Sequence, residues 1–144
     1  GGLISGIAAA LKMSRPQVAI VGVEPELAND AQLSLRRGEI VALPIEQTRE
    51  TAADGMRATQ LGDITFRYIC EYVDDIITVS EKEIRAAVRT LALDSRLVAE
   101  PSGAVTAAAL FNRRHELPPA RKIAAIISGG NVDPQLVAEI LSGC

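Results

Sequence analysis

Short unbroken apolar runs alternate along the chain with stretches whose apolar positions recur at helical spacing. Leu3 to Leu11 is apolar and alanine-rich, which predicts a buried helix ended by Pro16. Gln17 to Val23 (QVAIVGV) predicts a buried strand, stopped by Pro25. Glu26 to Arg37 predicts a short helix closed by Gly38. Glu39 to Ala53 mixes polarities around Pro44 and reads as mostly loop. A helix is predicted within Met56 to Tyr72 and a short strand over Asp74 to Val79. Ser80 with Glu83 three residues on is a capping box, so a helix starts there and runs to about Leu93. Pro101-Ser102-Gly103 opens an alanine-rich helix reaching Asn112. Ile123-Ala124-Ala125-Ile126-Ile127 predicts a last buried strand over Arg121 to Ser128, and Pro134 suits the first turn of a final helix.

Strands alternating with helices predict an α/β fold, a parallel twisted sheet covered by helices on both faces. The 144 residues suffice for one domain with its own core. With 3% aromatics and no Trp, that core is built from Ala, Val, Ile and Leu. A net charge of -3 predicts no attraction to nucleic acid or an anionic membrane surface. No apolar run approaches the roughly 20 residues that span a bilayer. The opening lacks a basic segment and is not expected to be a signal peptide. Cys70 and Cys144 lack metal-ligand spacing and read as reduced cytoplasmic thiols. The chain starts with Gly inside a glycine motif, so it is expected to be a fragment.

Four places carry candidate chemistry. Gly1-Gly2-Leu3-Ile4-Ser5-Gly6 precedes a helix, so its free N–H groups and the helix dipole offer an anion site or simply a helix start. A dinucleotide-binding G-x-G-x-x-G fails here, because Leu3 stands where the second glycine belongs. Glu24 and Asp30, six residues apart with carbonyls between, suit either a hard cation or a solvated strand–helix corner. Glu100, before Pro101-Ser102-Gly103, is a partly buried carboxylate that needs a partner, for which a helix-start salt bridge is the plain alternative. Ser128 stands at a strand tip beside Gly129 and Gly130, where open α/β sheets bind ligands. With no base to activate it, Ser128 reads as a hydrogen-bond partner for a ligand. His115 reads as a surface residue and Arg113-Arg114 as a solvated helix end.

Taken in order, GGLISG, VEP, ADG, DDIITVSEKEI, EPSGA and SGGNVD resemble the serine/threonine dehydratase and serine racemase family. Its members are pyridoxal-phosphate enzymes of the tryptophan-synthase-β fold type. The resemblance spans essentially the whole chain and corresponds to the C-terminal part of the family's catalytic domain. It implies that Gly1, Gly2 and Leu3 form the tail of the loop binding the cofactor phosphate. It implies that Ser128 contacts the pyridine nitrogen, and that Gly55 and Glu100 line the cofactor. It implies a Mg²⁺ or Ca²⁺ site at Glu24, Ala28 and Asp30, and a possible nucleotide contact at Asn131.

The family's Schiff-base lysine lies in a Ser-x-Lys motif, and Lys12, Lys82 and Lys122 all lack that context. No catalytic residue is therefore assigned in this chain, and the 144 residues alone are expected to be inactive. In the intact enzyme the resemblance implies elimination of the β-hydroxyl from L-threonine or L-serine. The products are 2-oxobutanoate or pyruvate and ammonia. Serine racemase and hydroxyaspartate dehydratase or racemase share every motif quoted. A non-catalytic interaction module is the alternative from another class. The resemblance further implies an amino-acid substrate and a cytoplasmic homo-oligomer.

Overall fold

A computed structural model describes residues 1–143; Cys144, read above as a reduced thiol, lies outside the described residues. The described residues form seven α-helices and two strands, in the order α1 (Gly2–Ser14), β1 (Val21–Pro25), α2 (Asp30–Arg37), α3 (Ile45–Thr48), α4 (Asp63–Tyr72), β2 (Asp75–Val79), α5 (Glu81–Ser95), α6 (Pro101–Asn112) and α7 (Pro134–Ser142). β1 and β2 pair in parallel, from Val21 opposite Asp75 to Pro25 opposite Val79.

Strand alternation sends neighbouring residues to opposite faces. Ile76 packs with Ala8 of α1, Ala31 of α2 and Ile69 of α4, and with Ile20, Leu61 and Val73 beside them. Ile77 and Val79 pack into the larger layer of α5 and α6, with Ile140 of α7. Helices thus cover both faces of the sheet, as the alternating pattern predicts. Gly22 makes room for the side chains of Ile4 from α1 and Ile76 from β2, because a Cβ there would lie 2.9 Å from Ile4 Cδ1 and 3.0 Å from Ile76 Cγ1.

The α5 start matches expectation closely. The Glu83 N–H donates to Ser80 Oγ at 3.4 Å, and the Ser80 N–H donates to Glu83 Oε2 at 2.7 Å. Pro134 is the first residue of α7, with the Gln135 N–H donating to Asp133 Oδ1 at 2.8 Å.

Several expectations need correction. Residues 17–20 precede the strand, because β2 supplies pairing partners only from Val21 onward. Pro25 is the last strand residue and not a stop before it. α2 begins at Asp30, after a turn in which the Ala28 N–H donates to the Pro25 carbonyl at 3.0 Å. The stretch read as mostly loop holds only the four-residue α3, and the helix predicted within Met56 to Tyr72 is α4, Asp63–Tyr72. Arg121 to Ser128 runs outside any strand ladder, since the only ladder among the described residues is β1–β2.

Arg113 is also not a free helix end. Its Nε and Nη2 donate to the two Glu83 oxygens at 2.8 and 2.9 Å, and Nη2 reaches Glu26 Oε1 at 3.2 Å. Burial pushes the Glu83 carboxyl up, but Arg113 and the Ser80 donors outweigh it and hold the group at about 2. One guanidinium therefore ties the end of α6 to the start of α5 and to the β1–α2 turn.

Candidate functional site

α1 begins at the chain's glycines without a side-chain cap and without an acidic residue in its first turn. Its leading N–H groups, at the positive end of the helix dipole, are therefore uncompensated by any acid of the helix. A Cβ at Gly2 would meet nothing within 4 Å, whereas one at Gly1 would lie 2.8 Å from Leu61 Cδ2. Gly1 allows close packing, and Gly2 leaves a space.

α6 begins opposite the strand-tip loop. The Glu100 N–H donates to the Gly129 carbonyl at 3.1 Å, and Glu100 Oε2 accepts the Asn131 N–H at 2.8 Å. The partner predicted for the Glu100 carboxylate is thus a main-chain donor and not a basic side chain. Side chains are excluded all round this contact. A Cβ at Gly103 would lie 2.5 Å from the Gly129 carbonyl oxygen, one at Gly129 2.6 Å from Glu100 Oε1, and one at Gly130 2.6 Å from the Val98 carbonyl oxygen.

The Thr51–Gly55 turn closes the third side. Glu81 accepts the Thr51 hydroxyl, and its other oxygen accepts the Ala52 N–H at 2.8 Å. Arg57 Nη2 donates to the Thr51 carbonyl at 2.7 Å. The Gly55 N–H then donates to Ser102 Oγ at 2.9 Å, fastening the turn to α6. Neither Glu81 nor Ser102 was singled out in the sequence, where each looks like an ordinary helix-start residue.

A groove of about 820 Å³ gathers these parts. Gly1, Gly2, Leu3, Gly55, Glu100 and Ser128 all line it, so the structure brings together all six residues assigned to the cofactor. Lys122 is the one lysine on its wall; Lys12 is paired with Asp74 at 2.7 Å. His115 lies outside the groove lining, with its side chain 75% exposed. Asn131 lines a separate polar cavity of about 520 Å³ with Arg57 and Arg85.

Glu24 and Asp30 are both buried, at 8% and 5% exposure. The Glu24 oxygens accept the Ala31 N–H at 3.2 Å and the Gln32 N–H at 2.8 Å, from the first turn of α2. Burial nevertheless pushes the Glu24 carboxyl up to about 7, and the nearby Asp30 charge adds to the rise. Burial likewise raises Asp30. Among the described residues neither joins a salt bridge, and no cluster of three acidic, His or Cys ligands forms. Ala28, the third position expected at the metal, is 1% exposed.

Residues 1–129 match the family model described as pyridoxal-phosphate dependent enzyme. The chain belongs to that family. It is 42% identical over 143 residues to the L-threo-3-hydroxyaspartate ammonia-lyase of Saccharomyces cerevisiae, covering 99% of this chain and 43% of that protein. It is 43% identical to the serine racemase of Schizosaccharomyces pombe, covering 99% and 43%. Against the L-threonine ammonia-lyase of Thermotoga maritima it is 37% identical, covering 99% and 34%. A solved threonine deaminase, from T.th., superposes with a TM-score of 0.86 at 43% identity, covering 92% of this chain and 47% of that one. Maize serine racemase gives 0.87 at 36% identity, covering 99% and 44%. The chain spans less than half the length of these relatives.

The close packing at the start of α6 sets a sharp sign test. An alanine in place of glycine within a helix ordinarily stabilises by roughly 0.5–1 kcal/mol. Gly103→Ala, inside α6, is expected to destabilise by about 1–3 kcal/mol instead, because its Cβ meets main chain. Gly6→Ala in α1, which meets nothing within 4 Å, keeps the ordinary sign. Urea denaturation of both variants checks the pair.

Proposed function

We propose that this chain holds the cofactor phosphate, the cofactor ring nitrogen and a divalent cation in an ammonia-lyase acting on L-threonine or L-serine. The products would be 2-oxobutanoate or pyruvate, and ammonia. The supporting observation is the convergence of Gly1, Gly2, Leu3, Gly55, Glu100 and Ser128 on one groove.

Pyridoxal phosphate, when bound, supplies an electron sink for negative charge at a substrate α-carbon. The first turn of α1 would take the phosphate on its N–H groups, with Gly2 leaving room for it. Ser128 would meet the ring nitrogen through a neutral hydroxyl. A hydroxyl does not keep that nitrogen protonated as a carboxylate would, so the ring is a milder sink. Loss of the β-hydroxyl is then favoured over transamination. The Gly55 N–H is committed to Ser102, so Gly55 would contribute space and not a donor. Glu100 would act on the loop that carries Ser128.

Glu24, the Ala28 carbonyl and Asp30 would hold Mg²⁺ or Ca²⁺. Two buried carboxylates without a basic partner are costly when ionised, and a cation offsets that cost. Asn131 is proposed as a nucleotide contact on the family resemblance alone; its cavity holds Arg57 and Arg85 but also Glu50, Asp54, Glu81, Glu100 and Asp133. A cytoplasmic homo-oligomer is proposed with this reading. An exposed free thiol at Cys70 and exposed Met13, Ile64 and Val98 support it.

Serine racemase is the second reading, favoured by the 43% identity to the fission-yeast enzyme. The two readings separate on the product formed from L-serine.

In the complete enzyme that carries this segment, Ser128→Asp is expected to lower ammonia release from L-threonine by about tenfold or more, or roughly 1.4 kcal/mol of barrier. Unchanged release, measured by coupled assay, contradicts the role of Ser128. The cation site makes a pH prediction. Glu24 titrates near 7 in the folded chain and at 4.5 when unperturbed, so the folded state binds the extra proton between those values. Cation-free stability therefore falls as pH rises through that window, by about 1–3 kcal/mol. Millimolar Mg²⁺ or Ca²⁺ is expected to raise the melting temperature at pH 8 and far less at pH 5, and Asp30→Asn to remove the effect. A cation shift that is equal at both pH values, or absent, contradicts the site.

A further inference from the structure

Arg113 holds three acidic side chains, and one of them belongs to the corner that carries Glu24, Ala28 and Asp30. Its Nε and Nη2 donate to Glu83 at 2.8 and 2.9 Å, Nη1 reaches Glu116 at 3.4 Å, and Nη2 also reaches Glu26 at 3.2 Å. Glu26 stands midway between Glu24 and Ala28. Among the described residues, Arg113 is the one side-chain partner of the Glu26 carboxylate.

The corner has little regular structure to hold it. β1 ends at Pro25 and α2 begins at Asp30. Between them the Glu26 N–H donates to the Val79 carbonyl at 2.9 Å, and the Ala28 N–H to the Pro25 carbonyl at 3.0 Å. Gln47 Nε2 donates to the Leu27 carbonyl at 3.2 Å. The Ala28 carbonyl is treated differently. A continuous helix would give it the N–H four residues on, that of Gln32. That N–H donates instead to Glu24 Oε2 at 2.8 Å. The carbonyl of buried Ala28 thus accepts no hydrogen bond among the described residues. A buried acceptor normally has a partner, and a hard cation is one that carbonyls and carboxylates share.

A guanidinium near a cation repels it. Acting only as a charge, Arg113 would weaken cation binding. We infer that it does the opposite, as a positioning residue: by holding Glu26 it holds the 25–29 turn, and with it the Ala28 carbonyl. The anchor behind it is firm. Arg113 grips both oxygens of Glu83, and Glu83 is itself fixed by the capping box of α5. The planar fork of arginine suits such a shared grip, which the point charge of a lysine does not reproduce. This role rests on the cation reading of Glu24, Ala28 and Asp30 and deepens it.

The test titrates Ca²⁺ calorimetrically into the complete enzyme that carries this segment, after removal of divalent cations. Arg113→Gln is expected to raise the Ca²⁺ dissociation constant about threefold or more, a modest factor because the Arg113–Glu26 pair is partly exposed. Glu116→Gln takes away another partner of the guanidinium but leaves Glu26 held, and is expected to change the constant by less than about twofold. Amide exchange in the cation-free enzyme supplies a second readout. In Arg113→Gln the amides of residues 26–28 should exchange about threefold or more faster, while Ala31 and Gln32, bound to Glu24, change little. An unchanged or tighter Ca²⁺ constant in Arg113→Gln overturns the positioning role. So does unchanged exchange at 26–28, or equal acceleration at Ala31 and Gln32, which would mark general loosening. If the unaltered enzyme takes up no Ca²⁺, the cation reading falls and this role with it. Normal Ca²⁺ uptake with an Arg113→Gln constant that is not weakened removes this role alone.

Discussion

The contact between the start of α6 and the loop after the last apolar run is the constraint on which the site depends. Main chain meets main chain there: Glu100 gives its N–H to the Gly129 carbonyl, and its carboxylate takes the Asn131 N–H. Such closeness is possible only without side chains, and Gly103, Gly129 and Gly130 are the three positions where a Cβ would collide. Residues 122–128 have no ladder to place them. The position of Ser128 in the groove is therefore set largely by this contact and by Thr106, one helix turn further along α6.

The same economy operates at the other edges of the site. Glu81 and Arg57 hold the Thr51–Gly55 turn through its main chain, and that turn is fastened to Ser102. Arg113 links α6 to α5 and to the corner that precedes α2. Glu24 then reaches from the end of β1 into the first turn of α2. Favourable N–H donors and an unfavourable burial meet on that one carboxylate, and burial prevails. Asp30 is a second buried acid beside it, and among the described residues neither has a basic side-chain partner.

Local signals were readable in the sequence where the physics is local. The Ser80–Glu83 box, Pro134 at a helix start and the Asp75–Val79 strand depend on neighbours within a few residues, and each was found. What failed depends on distant partners. The start of β1 is set by where β2 begins, and the apolar run 123–127 has strand character without a strand beside it. Arg113 looked solvated because its partners Glu83 and Glu26 lie 30 and 87 residues away. The site residues came from the joint order of motifs, since each glycine alone is ambiguous. The structure adds the reason for three of the glycines around the site, which is exclusion of side chains at one helix–loop contact.

The most direct measurement is the affinity of the complete enzyme for pyridoxal phosphate with Gly129→Ala, titrated by visible absorption against the unaltered protein and Gly6→Ala. If the α6 contact positions Ser128, the Gly129 variant binds about tenfold or more weakly, the equivalent of roughly 1.4 kcal/mol, and Gly6→Ala binds normally. Equal affinity in all three would contradict the account, because the groove would then hold its cofactor without the contact that places Ser128 in it.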